Sequence, residues 1–199
     1  MQMGVVTDEN FKAFQGFDLC AWEGVEPGSE AAPKTHRILR TSTIADFIKT
    51  VAAEKKLPAE QVRLWVMVNR QNKTTRPDQP IENSAMTIDE AFTKYGSRDK
   101  PFRFWLEVAK TVEDGKPVWP DAPAPDRSNA PILIFLKYFD AGAQSLKGVG
   151  HIYAKTHSKV GDMVPSILQL MGWSPGSTTA PTLALYEVGT SVLWSVSLH

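Results

Sequence analysis

The chain has 199 residues, room for one large domain or two small ones. Its 22 lysines and arginines balance 22 aspartates and glutamates, so it lacks the basic excess with which a nucleic-acid binder displaces counterions. Hydrophobic residues at 42% and charged residues at 22% match a water-soluble globular protein, and the single cysteine, Cys20, excludes an internal disulfide and fits a reducing compartment.

Met1–Val6 reads as an opening strand. Residues 15–33 carry Gly16, Gly24, Pro27, Gly28 and Pro33, the composition of a long hairpin loop, and Lys34–Thr41 fits the return strand. Thr43 with Asp46 three residues on forms a capping box, because hydroxyl and carboxylate satisfy the orphan N–H groups of a first helical turn. Ile44, Phe47, Ile48 and Val51 then share one helical face, and Leu57-Pro58 ends that helix. Val62–Val68 is a strand with Val62, Leu64, Val66 and Val68 on one face, leading to a polar tip, Asn69–Pro77. Thr87 and Glu90 repeat the capping box before a short helix closed by Gly96. Phe102, Phe104, Leu106 and Val108 alternate with Arg103, Trp105 and Glu107, which predicts a half-buried strand.

Five of the 14 prolines (Pro117, Pro120, Pro123, Pro125 and Pro131) fall between Glu113 and Pro131. Proline fixes φ and removes a backbone donor, so residues 113–130 read as a semi-rigid connector, with Trp119 docking on a neighbouring domain. Beyond it the same order returns. Ile132–Phe139 and Val149–Ala154 form a hairpin, and Ser158 caps a helix whose apolar face is Val160, Val164, Ile167, Leu168 and Met171. Pro165 lies inside that helix and Gly172 stops it; Thr182–Glu187 stands where Val62–Met67 stands in the first half. The reading is an α+β protein with two copies of one topology, 1–112 and 131–199, joined by 113–130.

Reactive residues do not assemble into a catalytic or metal pattern. Cys20 sits among Phe17, Leu19 and Trp22 as a small apolar filler; as a nucleophile it would need a histidine such as His151 or His157, the arrangement of a small stand-alone cysteine hydrolase. The four histidines (His36, His151, His157 and His199) show neither H-x-x-x-H nor HExxH spacing, and no phosphate-cradling glycine loop or nucleophile elbow occurs, so no cofactor or metal is expected. Arg70, Lys73 and Arg76 read as a solvated tip, and Asp89, Glu90, Asp99, Glu113 and Asp114 as surface carboxylates. Trp65, Phe102, Phe104 and Trp105 read as core. No apolar run reaches the roughly 18 residues of a membrane span. The opening MQMGVVTDENF lacks the basic and apolar regions of a secretion signal, so the expected location is intracellular, in nucleus or cytoplasm.

VRLWVMVNRQNKTTRP and LIFLKYFDAGAQSLKGVGHIYAKTHSKVGDMVPSI resemble the tandem ubiquitin-like region of the ubiquitin-specific protease 7 family, known as the ICP0-binding domain. The likeness runs from Met1 to about Glu187. It implies two consecutive ubiquitin-like β-grasp domains serving as a non-catalytic interaction and regulatory module of a cysteine deubiquitinase. The catalytic Cys and His boxes of that family are missing from this chain. The implied partners are basic, Lys-rich segments of other proteins and the catalytic domain of the parent enzyme. Glu187 is the one acidic partner-binding position that carries over. Where the family continues with an acidic turn, this chain ends VGTSVLWSVSLH, so the second domain reads as truncated or as the product of a mis-spliced gene model. A free-standing ubiquitin-like adaptor is the remaining alternative.

Overall fold

Short segments of alternating apolar residues, punctuated by two capped helices, produce a sheet that needs cover on both faces. The computed structural model describes the chain except for residues 27, 72–73, 97–100, 121–130, 175–183, 188–193 and 198–199 and the side chains of 187 and 194–197. It is an α+β protein of two compact units, Met1–Arg70 with Thr74–Trp119, and Gln71–Lys73 with Pro120–His199.

In the first unit, strand β1 (Gln2–Val6) leads into helix α1 (Asp8–Ala13), strand β2 (Lys34–Arg37) and helix α2 (Ile44–Glu54). Strands β3 (Val62–Asn69) and β4 (Thr75–Pro80), helix α3 (Ile88–Tyr95) and strand β5 (Phe102–Val108) follow. The sheet order is β2-β1-β5-β3-β4. The central pair β1–β5 is parallel and the other pairs are antiparallel. β2 is thus one edge. β4 is the other, and it carries Pro77 and Pro80 and a register shift opposite Val66/Met67.

One face buries Met3, Val5, Leu64, Val66, Phe102 and Phe104 against Ile44, Phe47 and Val51 of α2 and Ile88 and Ala91 of α3. Each large side chain so buried contributes about 1.5–3 kcal/mol. The opposite face differs from the half-buried strands predicted. Trp105, Trp65 and Glu107 are buried too, Trp105 against α1 and Glu107 bonded to Arg63 and Trp65. Phe11 meets Trp105 edge-on at 6.5 Å, and the Arg103 guanidinium stacks 4.1 Å from the Trp22 ring. Helix α1, for which the sequence showed no signal, precedes residues 15–33, the stretch read as a hairpin loop, and together they serve as a lid over this face. The return strand stops at Arg37 rather than Thr41.

Gly96 ends α3 in an extended conformation, not a left-handed one; a Cβ there would come within 2.5 Å of the Phe92 carbonyl oxygen, so glycine is required by space. Across the start of the stretch read as connector, strands β6 (Thr111–Glu113) and β7 (Lys116–Val118) form a hairpin turning through Asp114 and Gly115, both at positive φ. Trp119 docks within the first unit, with the Arg63 guanidinium 4.1 Å from its ring. Residues 121–130 of that stretch lie outside the described residues.

In the second unit, β8 (Pro131–Asp140) and β9 (Ser145–Lys155) pair antiparallel. Helix α4 (Val160–Met171) packs on β9, and β10 (Ala184–Glu187) pairs with β11 (Trp194–Ser197). Among the described residues the two hairpins remain separate sheets. The N-cap of α4 is Lys159 rather than Ser158, because the Asp162 carboxylate accepts the Lys159 backbone N–H at 2.9 Å. The helix runs on through Pro165, whose ring removes the donor to the Gly161 carbonyl. Gly172 closes it at φ 69°, the left-handed cap expected. Buried apolar residues here are few among those described: Ile152, Ala154 and Ile167.

Candidate functional site

Cys20, His36 and His151 each have a structural occupation. Cys20 is 1% exposed, so its sulfur is shut from any substrate in this conformation. His36 on β2 meets Glu54 on α2 at 3.0 Å and packs edge-on against Phe47. His151 is buried on β9 with its ring 5.7 Å from Phe135 and 6.1 Å from Tyr153, His157 is exposed, and His199 lies outside the described residues. Among the described residues no three histidines, cysteines or carboxylates gather as metal ligands, and no helix is long and apolar enough to cross a membrane.

The basic tip is not free. Arg76 donates to Asp18 at 2.6 Å and to the Phe17 carbonyl at 3.1 Å, and Arg70 reaches Asp78 at 3.4 Å. Burial draws the Arg76 guanidinium below its ordinary pKa against the opposing pull of Asp18. Lys73 lies outside the described residues. Asp18 is the pin of the lid: its carboxylate also accepts from Trp22 Nε1 at 3.0 Å and from the Thr75 N–H at 3.2 Å. Of the surface carboxylates, Asp89 pairs with Arg40 at 2.6 Å and Glu90 caps α3, while Asp99 lies outside the described residues.

A polar centre that the sequence reading missed lies beneath the lid face. Glu107 Oε2 accepts from Arg63 Nε at 2.7 Å and from Trp65 Nε1 at 2.6 Å, with Glu107 3% exposed. Arg63 in turn stacks between the Trp65 and Trp119 rings, 5.0 and 4.1 Å from their centroids. The register pairs Arg63 with Glu107 directly across β3–β5. The available signal was two tryptophans, Trp65 and Trp105, on a face otherwise read as polar.

A cavity lies at the β2 edge. It has a volume of about 670 Å³ and runs between Val5 and Leu106 of the sheet, Val51 and Glu54 of α2, and Trp22 and Val25 of the lid. Its walls carry a charged lattice. Glu54 accepts from Lys34 and His36, each at 3.0 Å, and Glu9 pairs with Lys55 at 2.9 Å. Burial raises the Glu54 pKa, but the bonds from His36 and Lys34 outweigh it and hold the group below its usual value. Glu187 stands at the end of β10 opposite Trp194, with its side chain outside the described residues.

The chain belongs to the family of the ICP0-binding domain of ubiquitin-specific protease 7, whose pattern matches residues 62–193, from the start of β3 through β10. It is similar to ubiquitin carboxyl-terminal hydrolase 15 of Schizosaccharomyces pombe, 26% identical over 170 residues that make up 85% of this chain and 15% of that protein. Ubiquitin C-terminal hydrolase 13 of Arabidopsis thaliana is 28% identical over 147 residues, 71% of this chain and 13% of its own length. Ubiquitin carboxyl-terminal hydrolase 7 of Drosophila melanogaster is 23% identical over 174 residues, 86% and 14% respectively. The chain thus spans about one seventh of the curated relatives it matches.

Proposed function

We propose that the chain is a non-catalytic interaction and regulatory module of a ubiquitin-specific protease 7-like cysteine deubiquitinase, built from two consecutive ubiquitin-like β-grasp domains. The observation that carries the reading is the family match over residues 62–193. The order β2-β1-β5-β3-β4 around α2 supports it, since a β-grasp sheet places its first and last strands side by side and parallel at the centre. The succession of β8–β9, α4 and β10–β11 in the second unit supports a repeat of that plan. The 1% exposure of Cys20 supports a role without chemistry of its own.

On this reading the module binds partner proteins and modulates ubiquitin removal by a catalytic domain of the same enzyme. Its partners include basic, Lys-rich segments meeting the second unit near Glu187, and it acts in the nucleus or cytoplasm. The test uses a thiol-reactive ubiquitin probe and a fluorogenic ubiquitin substrate. The chain alone stays unlabelled and inactive, whereas fusing it to a catalytic domain of the family changes kcat/KM. Labelling at Cys20, or a fusion indistinguishable from the bare catalytic domain, overturns the proposal.

A further inference from the structure

Past β5 the chain doubles back into a hairpin with little of its own to hold it. Among the described residues β6 and β7 pair with each other alone, three residues against three, apart from the five-stranded sheet. The two-residue turn at Asp114 and Gly115 makes Glu113–Lys116 and Thr111–Val118 the bonded pairs. Pro117, which has no N–H, falls at the unbonded pair with Val112. Every residue of both strands is exposed except the half-buried Pro117; Val112 and Val118 are 41% and 40% exposed. A lone two-stranded hairpin is marginal in water, so this one needs a hold outside its own ladder.

That hold sits at its C-terminal end. Trp119 is half-buried, with the Arg63 guanidinium 4.1 Å from its ring centroid. Arg63 is itself fixed in place, since its Nε donates to Glu107 at 2.7 Å and the Trp65 ring lies 5.0 Å away. At the N-terminal end the chain is tied to the sheet as far as Ala109, whose N–H donates to the Gln61 carbonyl at 2.9 Å.

We propose that Lys110–Trp119 is a releasable strap, clasped by the stacking of Trp119 on Arg63, which opens while the five-stranded sheet stays folded. Closed, it carries the ordered chain of the first unit on to Trp119. Open, that unit ends at Ala109, and the face of Arg63 that Trp119 covers is uncovered. The clasp depends on Glu107 as well, because its carboxylate holds the guanidinium plane where the ring stacks. The strap belongs to the first unit alone and does not depend on the chain being an interaction module.

The test is amide exchange of the full 199-residue chain at rising urea below the unfolding transition, which separates local from global opening. The Glu113, Lys116 and Val118 amides should be protected, with exchange nearly independent of urea. The Phe104 and Leu106 amides of β5 should exchange faster as urea rises, which also reports that the sheet is folded in each variant. Trp119→Ala should speed the strap amides at least about fivefold without giving them the urea dependence of β5. Trp119→Phe keeps a ring and should stay within about twofold of the natural chain, whereas Trp119→Leu, apolar but without a ring, should behave as alanine does. Four results overturn the proposal: strap amides unprotected in the natural chain, strap amides sharing the urea dependence of β5, strap exchange unchanged in Trp119→Ala, or leucine protecting as well as phenylalanine. None of them bears on the ubiquitin-probe test, so the two readings fail separately.

Discussion

Thr43 and Thr87, each the N-cap of a helix, form an isolated antiparallel bridge with one another. Each hydroxyl accepts the N–H three residues on, from Asp46 at 3.1 Å and from Glu90 at 3.2 Å. The remaining first-turn donors are satisfied crosswise. Ile44 and Ala45 donate to the Met86 and Ser84 carbonyls, and Ile88 and Asp89 donate to those of Ser42 and Arg40. The two helix starts thus complete each other, and their backbone donors are spent within the fold.

Removing either cap destabilises the first unit. Thr43→Ala and Thr87→Ala each cost about 1 kcal/mol. Because the caps share a bridge, the double variant departs from additivity by about 0.5 kcal/mol or more. Urea denaturation followed by tryptophan emission, with amide exchange in β1 and β5 as a second probe, measures both values. Strict additivity means the crosswise bonds are energetically independent.

Glu107→Gln tests the polar centre. It removes the carboxylate charge that Arg63, itself largely buried, meets at 2.7 Å, and the expected loss is about 3 kcal/mol. Trp119→Ala, which removes one cation–π contact, costs about 1 kcal/mol. Equal losses in denaturant unfolding would mean that the charge pair contributes nothing beyond packing.

Glu9 carries the acid-side prediction. Burial raises its pKa, but hydrogen bonds from Thr7 and Lys55 and the Lys55 charge bring it down from 4.5 to about 2. A depressed carboxylate contributes stability that is complete above its unfolded value near 4.5 and disappears as pH falls through about 2. The side chain is 67% exposed, so solvent screening limits that contribution to less than about 1 kcal/mol. The stability difference between the natural chain and Glu9→Gln should therefore be flat at neutral pH and shrink between those two values. A carboxyl NMR titration places the midpoint directly, and a midpoint near 4.5 refutes the assignment.

The second unit should open before the first. Its described apolar core is limited to Ile152, Ala154 and Ile167, while Ile132, Phe139 and Tyr186 stand exposed. In the intact chain, amides of β8 and β9 should exchange with protection at least about tenfold below those of β3 and β5. Equal protection in both units contradicts this.

Helix starts and strand faces were legible where one residue type answers one physical demand. Thr43, Thr87 and Gly172 stand where the reading put them, because capping chemistry is local. Burial of Phe102 and Phe104 followed from alternation, whereas that of Trp65 and Trp105 followed only from their aromatic character. The lid was illegible, since residues 15–33 show loop composition and their burial depends on Asp18 meeting Thr75 and Arg76, some 57 and 58 positions away. Glu107 was misread as solvated for the same reason. Alternation reports which side of a strand faces inward only when a single layer covers it. The edge position of β2 depends on strand order, which no local pattern encodes.

The two margins of the five-stranded sheet are guarded in different ways. The β4 margin carries Pro77 and Pro80, which have no N–H to offer a neighbouring strand, whereas β2 is four residues long and bears Lys34 and Arg37. Both devices discourage edge-to-edge pairing, one margin through missing donors and the other through brevity and charge.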